Sequence, residues 1–263
     1  MKRNVVFIHG LWIHSTSWQP WQEHFERERY DTYAPGWPGD AATVAATRAD
    51  PTGMAGVGVD EITYAYTEFF AGLSAPPIVI GHSFGGLIGP EAPGPRPGCG
   101  GCGHLTHADQ GNPRPAAEPT ALQPPRAGES AEPEQDRRAD RQAVRLLLRQ
   151  CLPAAESAQL HQRFVIPGPG RPLFQASSAG FTPNAPTAVD TRRVDREPLL
   201  LVAAGKDRTV PAAVVQAAHK LYAASSADTE LAQYPERGHS TPFDRGWRGL
   251  SEATLDWLAR RGL

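Results

Sequence analysis

Pro77-Ile78-Val79-Ile80-Gly81-His82-Ser83-Phe84-Gly85-Gly86 is the stretch on which the reading of this chain turns. Pro77 to Ile80 is a short β-branched run, which suits a buried strand, and Gly81 to Gly85 fits the pattern G-x-S-x-G. That spacing has a physical reason. A serine on a sharp turn between a strand and a helix presents its hydroxyl at the strand end, and strand and helix approach closely only if the flanking positions carry no side chain. The five-residue pattern is common by itself. The strand before it and the helical start after it supply the context it needs, and they make Ser83 a candidate nucleophile rather than an ordinary turn serine.

Working outward, Val5 to Ile8 reads as a buried strand ending in His9-Gly10-Leu11-Trp12, with apolar and aromatic residues at helical spacing from Ser17 to Glu28. Tyr30 to Ala34 is the next short strand and Val59 to Leu73 the next helix. Near the end the alternation resumes: strand Leu199 to Ala203, helix Pro211 to Ala224, strand Glu230 to Tyr234, helix Leu250 to Arg260. Strands alternating with helices predict an α/β fold with a doubly wound, mostly parallel sheet. At 263 residues, one such domain over 1–263 is the expected size.

A serine hydroxyl needs a base to remove its proton, and the base needs an orienting carboxylate, here expected in the chain order Ser, Asp or Glu, His. Asp207 follows the strand Leu199 to Ala203, and His239 follows the last strand, in Arg237-Gly238-His239-Ser240. Loops at the carboxyl ends of strands are where a doubly wound sheet gathers its site. Alone, Asp207 reads equally well as a turn carboxylate and His239 as a loop histidine; together with Ser83 and in this order they form a candidate triad. The oxyanion of a tetrahedral intermediate also needs N–H donors, one just after the nucleophile and one from an early strand-to-helix loop. Phe84 and Leu11 are the candidates, and Trp12 is a neighbour that could donate instead or line the pocket.

The net charge of -2 gives no reason to expect nucleic acid or an anionic membrane as partner, leaving a small-molecule substrate. No run approaches the length of a membrane span, the apolar run Asn4 to Ile8 is too short for a secretory leader, and three cysteines leave a disulfide framework unpaired. A cytoplasmic location is expected. Oligomeric state is not legible.

The middle of the chain breaks the pattern. From Gly89 to Ala143 there is no Val, Ile, Phe, Tyr or Trp, prolines are dense, and Pro90 is expected to stop the helix after Ser83 after about two turns. Such a segment cannot build a core, so 89–151 is expected to be disordered or loosely attached, with no candidate for a central strand. Back-translated with GC-rich codons and read one base later, Gly89 onward gives a helix followed by an apolar strand, and Gln142 to Gln150 regains aromatic residues. The segment therefore reads as the product of two compensating single-base changes. Within it, Cys99, Cys102, His104 and His107 mimic zinc-ligand spacing, but the pairs sit too close for a structural site. Asp136 to Gln150 could form an amphipathic helix; its bland reading is a solvated segment.

On the elbow Gly81 to Gly85, the His9-Gly10 strand end and the positions of Asp207 and His239, the chain resembles the α/β-hydrolase superfamily. More narrowly it is similar to small bacterial esterase- or lysophospholipase-like members. The resemblance covers Met1 to Ile88 and roughly Leu152 to Leu263. It implies a triad of Ser83, Asp207 and His239, no cofactor, no metal, and a pocket covered by residues inserted between sheet strands. The activity it implies is hydrolysis of an ester-type bond through an acyl-enzyme. A same-fold lyase or haloperoxidase, and a damaged pseudohydrolase lacking its centre, are the alternatives.

Overall fold

The computed structural model describes residues 2–91, 101–103, 150–182 and 185–263. Strands β1 (Asn4–Ile8), β2 (Asp31–Tyr33) and β3 (Ile78–Gly81) pair in the order β2-β1-β3, and β4 (Gly101–Gly103), β5 (Leu199–Ala204) and β6 (Thr229–Tyr234) in the order β4-β5-β6. Every paired neighbour is parallel, with Val5 opposite Ile78 and Leu199 opposite Thr229. β3 and β4 lie side by side, which brings the two halves together.

Parallel strands covered on both faces read as continuous apolar runs, and β1 and β5 are buried throughout. Their side chains alternate between two cores. Val5 and Phe7 pack with Leu200 and Val202 against α1 (Gln19–Arg27) and the C-terminal α8 (Trp247–Arg260). Val6 and Ile8 pack with Leu201 and Ala203 against α3 (Val59–Ala71), α4 (Phe84–Glu91) and α7 (Ala212–Tyr222). Helices on both faces of a parallel sheet make the doubly wound architecture that the alternation predicts. Because β2 and β3 lie on opposite sides of β1, the chain reverses direction across the sheet at the carboxyl ends of β1 and β3. That is where an open α/β sheet forms its crevice.

The expectation that 89–151 holds no central strand is corrected at one point: Gly101-Cys102-Gly103 runs beside β5, in register with Leu199, Leu200 and Leu201. Main-chain pairing needs no apolar side chain, so a glycine-rich tripeptide takes the end of the β4-β5-β6 sheet, close to β3, without the pattern that marks a strand. The expected disorder, the frame change, the zinc-like spacing and the helix from Asp136 otherwise fall outside the described residues. Three helices had no sequence signal: α2 (Val44–Ala49), α5 (Ala154–Phe164) and α6 (Arg171–Ser178). α5 and α6 form a cover tied down by side chains bonded to main chain: the Arg48 guanidinium donates to the carbonyls of Val165 (2.8 Å) and His161 (2.8 Å), and the Gln175 side-chain oxygen accepts from the Val59 amide (2.9 Å). Among the described residues no helix is long and apolar enough to cross a membrane.

One buried histidine makes the packing of α1 on α8 pH-sensitive. His24 Nδ1 lies 2.8 Å from the Ser251 hydroxyl, and burial, with Arg248 nearby, lowers the His24 pKa below its usual 6.5. The unfolded chain therefore takes up this proton first. The stability that His24 contributes is whole above about pH 6.5 and is lost as pH falls through the lower folded value. Urea midpoints should fall between about pH 7.5 and about pH 5.5, and His24→Gln should show a shallower fall. Equal slopes for the two proteins would show that His24 carries none of the effect.

Candidate active site

Ser83 has φ 56°, a conformation that costs an L-residue roughly 1–2 kcal/mol. The surroundings enforce it. A Cβ on Gly81 would stand 2.3 Å from the Gly85 carbonyl oxygen, and one on Gly85 would stand 2.3 Å from that of Ile8. The His82 amide donates to Ile8 O at 3.0 Å, fastening the turn across β1 and β3. Gly10 completes the contact, since a Cβ there would lie 2.9 Å from the Ser83 Cβ.

The carboxylate and the imidazole come together as the sequence order implies. Asp207 Oδ2 lies 2.8 Å from His239 Nδ1, both side chains fully buried. The other Asp207 oxygen accepts from the amides of Thr209 (2.8 Å) and Val210 (2.9 Å), so the carboxylate cannot rotate away. With Asp207 as acceptor, Nδ1 carries the proton and the basic lone pair of a neutral ring sits on Nε2. The two loops are fastened as a continuation of the β5–β6 ladder: Gly205 N donates to Tyr234 O (2.9 Å) and Lys206 N to Arg237 O (2.8 Å). Arg237 pairs with Asp244 and donates to the carbonyls of Thr241 (3.1 Å) and Gly246 (3.0 Å), and Trp21 donates to Pro242 O (2.7 Å). These bonds fix the loop that carries His239.

His82, adjacent to Ser83, joins the two parts: its Nε2 is 2.8 Å from the His239 carbonyl, and the two rings are 4.6 Å apart. Phe84 is buried at the start of α4 and Leu11 is buried in the β1 loop; among the described residues, neither amide donates to another main-chain carbonyl. Trp12, at φ 65°, is held in place from the cover, because Ile13 bridges Val165 and the Ile166 amide donates to Trp12 O at 3.0 Å. Gly168 packs on both Leu11 and Trp12, where a Cβ would come within 3.0 Å of Leu11 Cδ1 and 2.9 Å of Trp12 Cδ1.

Sequence reasoning missed three participants. Gln150 bridges the two loops, its Oε1 accepting from Arg208 N (2.8 Å) and lying 3.4 Å from His239 N. Cys151 lies beside it, 3.9 Å from Lys206 O, and burial pushes its thiol pKa up, away from thiolate chemistry. His9, read only as the partner of a turn glycine, makes a buried pair with Asp40. Among the described residues no group of three or more His, Cys, Asp or Glu is gathered to hold a metal ion. A cavity between β6 and α8, lined by Leu200, Tyr234, Leu250 and Trp257, includes none of the candidate site residues.

A serine held in a strained left-handed turn at the sheet's switch point, with an Asp–His pair on the loops beyond β5 and β6, is the arrangement expected of an α/β hydrolase. The chain belongs to that group, matching the Alpha/beta hydrolase family over residues 5–253. No curated protein matches it. Among solved structures it is similar to an esterase from Exiguobacterium antarcticum, with 14% identity and a TM-score of 0.66 over 98% of this chain and 92% of that one. A methylesterase from Arabidopsis matches at 13% identity and TM-score 0.61, over 98% and 99% of the two chains. A pyrethroid hydrolase from Sphingobium faniae matches at 17% and 0.58, over 98% and 97%. At these identities the likeness is one of fold.

The contact at Gly85 gives a direct test of the elbow. Gly85→Ala should destabilise the protein by about 3 kcal/mol or more, because its Cβ meets main chain that cannot rotate aside. Gly249→Ala, in open space on α8, should instead gain roughly 0.5–1 kcal/mol. Wild-type stability of Gly85→Ala in urea unfolding would contradict the packing described.

Proposed function

We propose that this protein is a serine hydrolase that cleaves an ester-type bond of a small or acyl substrate through an acyl-enzyme. The observation that carries the reading is the buried Asp207–His239 pair at 2.8 Å, coupled through His82 to the strained turn of Ser83. Ser83 Oγ attacks the acyl carbon while His239 Nε2 takes its proton, and Asp207 stabilises the imidazolium that forms. The N–H groups of Leu11 and Phe84 receive the oxyanion. As the intermediate collapses, the bond to the alcohol oxygen breaks and Nε2 returns its proton to that oxygen. Water then attacks the acyl-enzyme by the same proton path, releasing the acid and restoring Ser83. None of these steps needs a cofactor. Ester chemistry is favoured by neighbours named esterase and methylesterase.

Ser83→Ala should lower hydrolysis of a short p-nitrophenyl ester by about 10⁴-fold or more, His239→Ala should do comparable damage, and the double variant should be little worse. Asp207→Asn should cost on the order of 10⁴ in kcat by removing the acceptor that sets the tautomer. Residues acting as one unit are not additive, so losses that multiply would reduce His239 to a structural role. Full activity of Ser83→Ala would assign the nucleophile elsewhere.

A further inference from the structure

Beneath the loop that follows β1 lies a second Asp–His pair. His9 and Asp40 are both almost wholly buried, with His9 Nε2 3.2 Å from Asp40 Oδ2. The Trp37 amide is 3.2 Å from each of these two atoms, and the Trp37 ring stacks on the imidazole at 5.0 Å. The other ring nitrogen, Nδ1, lies 3.0 Å from the carbonyl oxygen of Gly10. A carbonyl can only accept, so Nδ1 must carry a proton. With the proton on Nδ1, the Nε2 lone pair accepts from the Trp37 amide, which Asp40 Oδ2 shares. The pair is in turn fixed by its own loop: Asp40 N donates to Trp37 O (2.9 Å) through a turn in which Gly39 has φ 90°.

What this pair grips is one peptide group. The Gly10 carbonyl also accepts from Ile13 N at 3.3 Å, so two donors hold its oxygen on one side. Among the described residues the chain has no cis peptide bond, and in a trans peptide the N–H points opposite to the C=O. The N–H on the far side of this group is that of Leu11. Gly10 itself rests against Ser83. We infer that Asp40 and His9 are positioning residues for the oxyanion site: they clamp the Gly10 carbonyl so that the Leu11 N–H is aimed toward Ser83. One Asp–His pair would hold the base and the other the oxyanion donor. The inference rests on the serine-hydrolase reading for its catalytic consequence, but the aim of the Leu11 N–H can be read without any substrate.

Two variants separate positioning from packing. His9→Phe keeps a ring against Trp37 but removes the donor to Gly10 O, whereas His9→Asn retains an N–H near the Nδ1 position. His9→Phe should lower kcat for a p-nitrophenyl ester by about 10²- to 10³-fold with KM little changed, and weaken a trifluoromethyl ketone inhibitor by the same factor. His9→Asn should recover at least about tenfold of both losses. In ¹⁵N-resolved NMR of the resting protein, the Leu11 amide resonance should move in His9→Phe and return toward its place in His9→Asn. A folded His9→Phe with unchanged kcat and an unmoved Leu11 amide would overturn the inference. If His9→Phe fails to fold, the wild-type ring decides: His9 Nδ1 must be the protonated nitrogen near neutral pH, and finding it unprotonated would equally overturn the proposal. A wild-type protein without esterase activity but with the expected His9 and Leu11 signals would sink the hydrolase reading and leave the clamp standing.

Discussion

The structure depends on one close approach. At the carboxyl ends of β1 and β3 the main chain of Gly85 presses on Ile8, that of Gly81 on Gly85, and Gly10 on Ser83, with no space for a Cβ at any of the three glycines. Hard-sphere exclusion of this kind is what allows a serine to be held at φ 56°. The strain is sustained because apolar strands on either side, buried on both faces, resist any opening of the junction. The same approach sets the candidate nucleophile beside the loop whose amide is proposed to receive the oxyanion. Geometry that looks like a packing limit is thus also the source of preorganisation, since groups already in place need not reorganise during reaction.

Around that junction the polar groups are arranged so that each buried charge has a partner. Asp207 spends its two oxygens on two amides and one imidazole, and Asp40 meets His9 and the Trp37 amide. Buried ionisable groups persist only when paired and hydrogen-bonded, and removing one partner of such a pair is far more costly than never having built it. The loops beyond β5 and β6 are extended from the sheet by main-chain bonds and reinforced by Arg237 and Gln150. Gln150 reaches these loops from the segment leading into α5, so the cover and the Asp–His pair are mechanically joined.

Much of this was legible in the sequence, for reasons that can be named. β1, β3 and β5 are fully buried, so their residues form apolar runs, and Ser83, Asp207 and His239 stand immediately beyond strand ends where a doubly wound sheet collects its chemistry. The illegible parts lack side-chain signals. β4 is Gly101-Cys102-Gly103 and owes its position to main-chain pairing with β5. α2 is six residues long, too short for a 3.6-residue period to show. His9 and Asp40 are distant in sequence, and the β1–β2 pairing and the turn around Gly39 bring them together. Gln150 carries no pattern, and its role is a matter of where one amide side chain ends.

Activation of Ser83 as the proposed nucleophile is read most directly by intact-protein and peptide mass spectrometry after treatment with a fluorophosphonate. One adduct per chain is expected, on Ser83, absent from Ser83→Ala and greatly slowed in His239→Ala. An adduct on another residue, or no adduct on a protein that still unfolds in one cooperative transition, would contradict it.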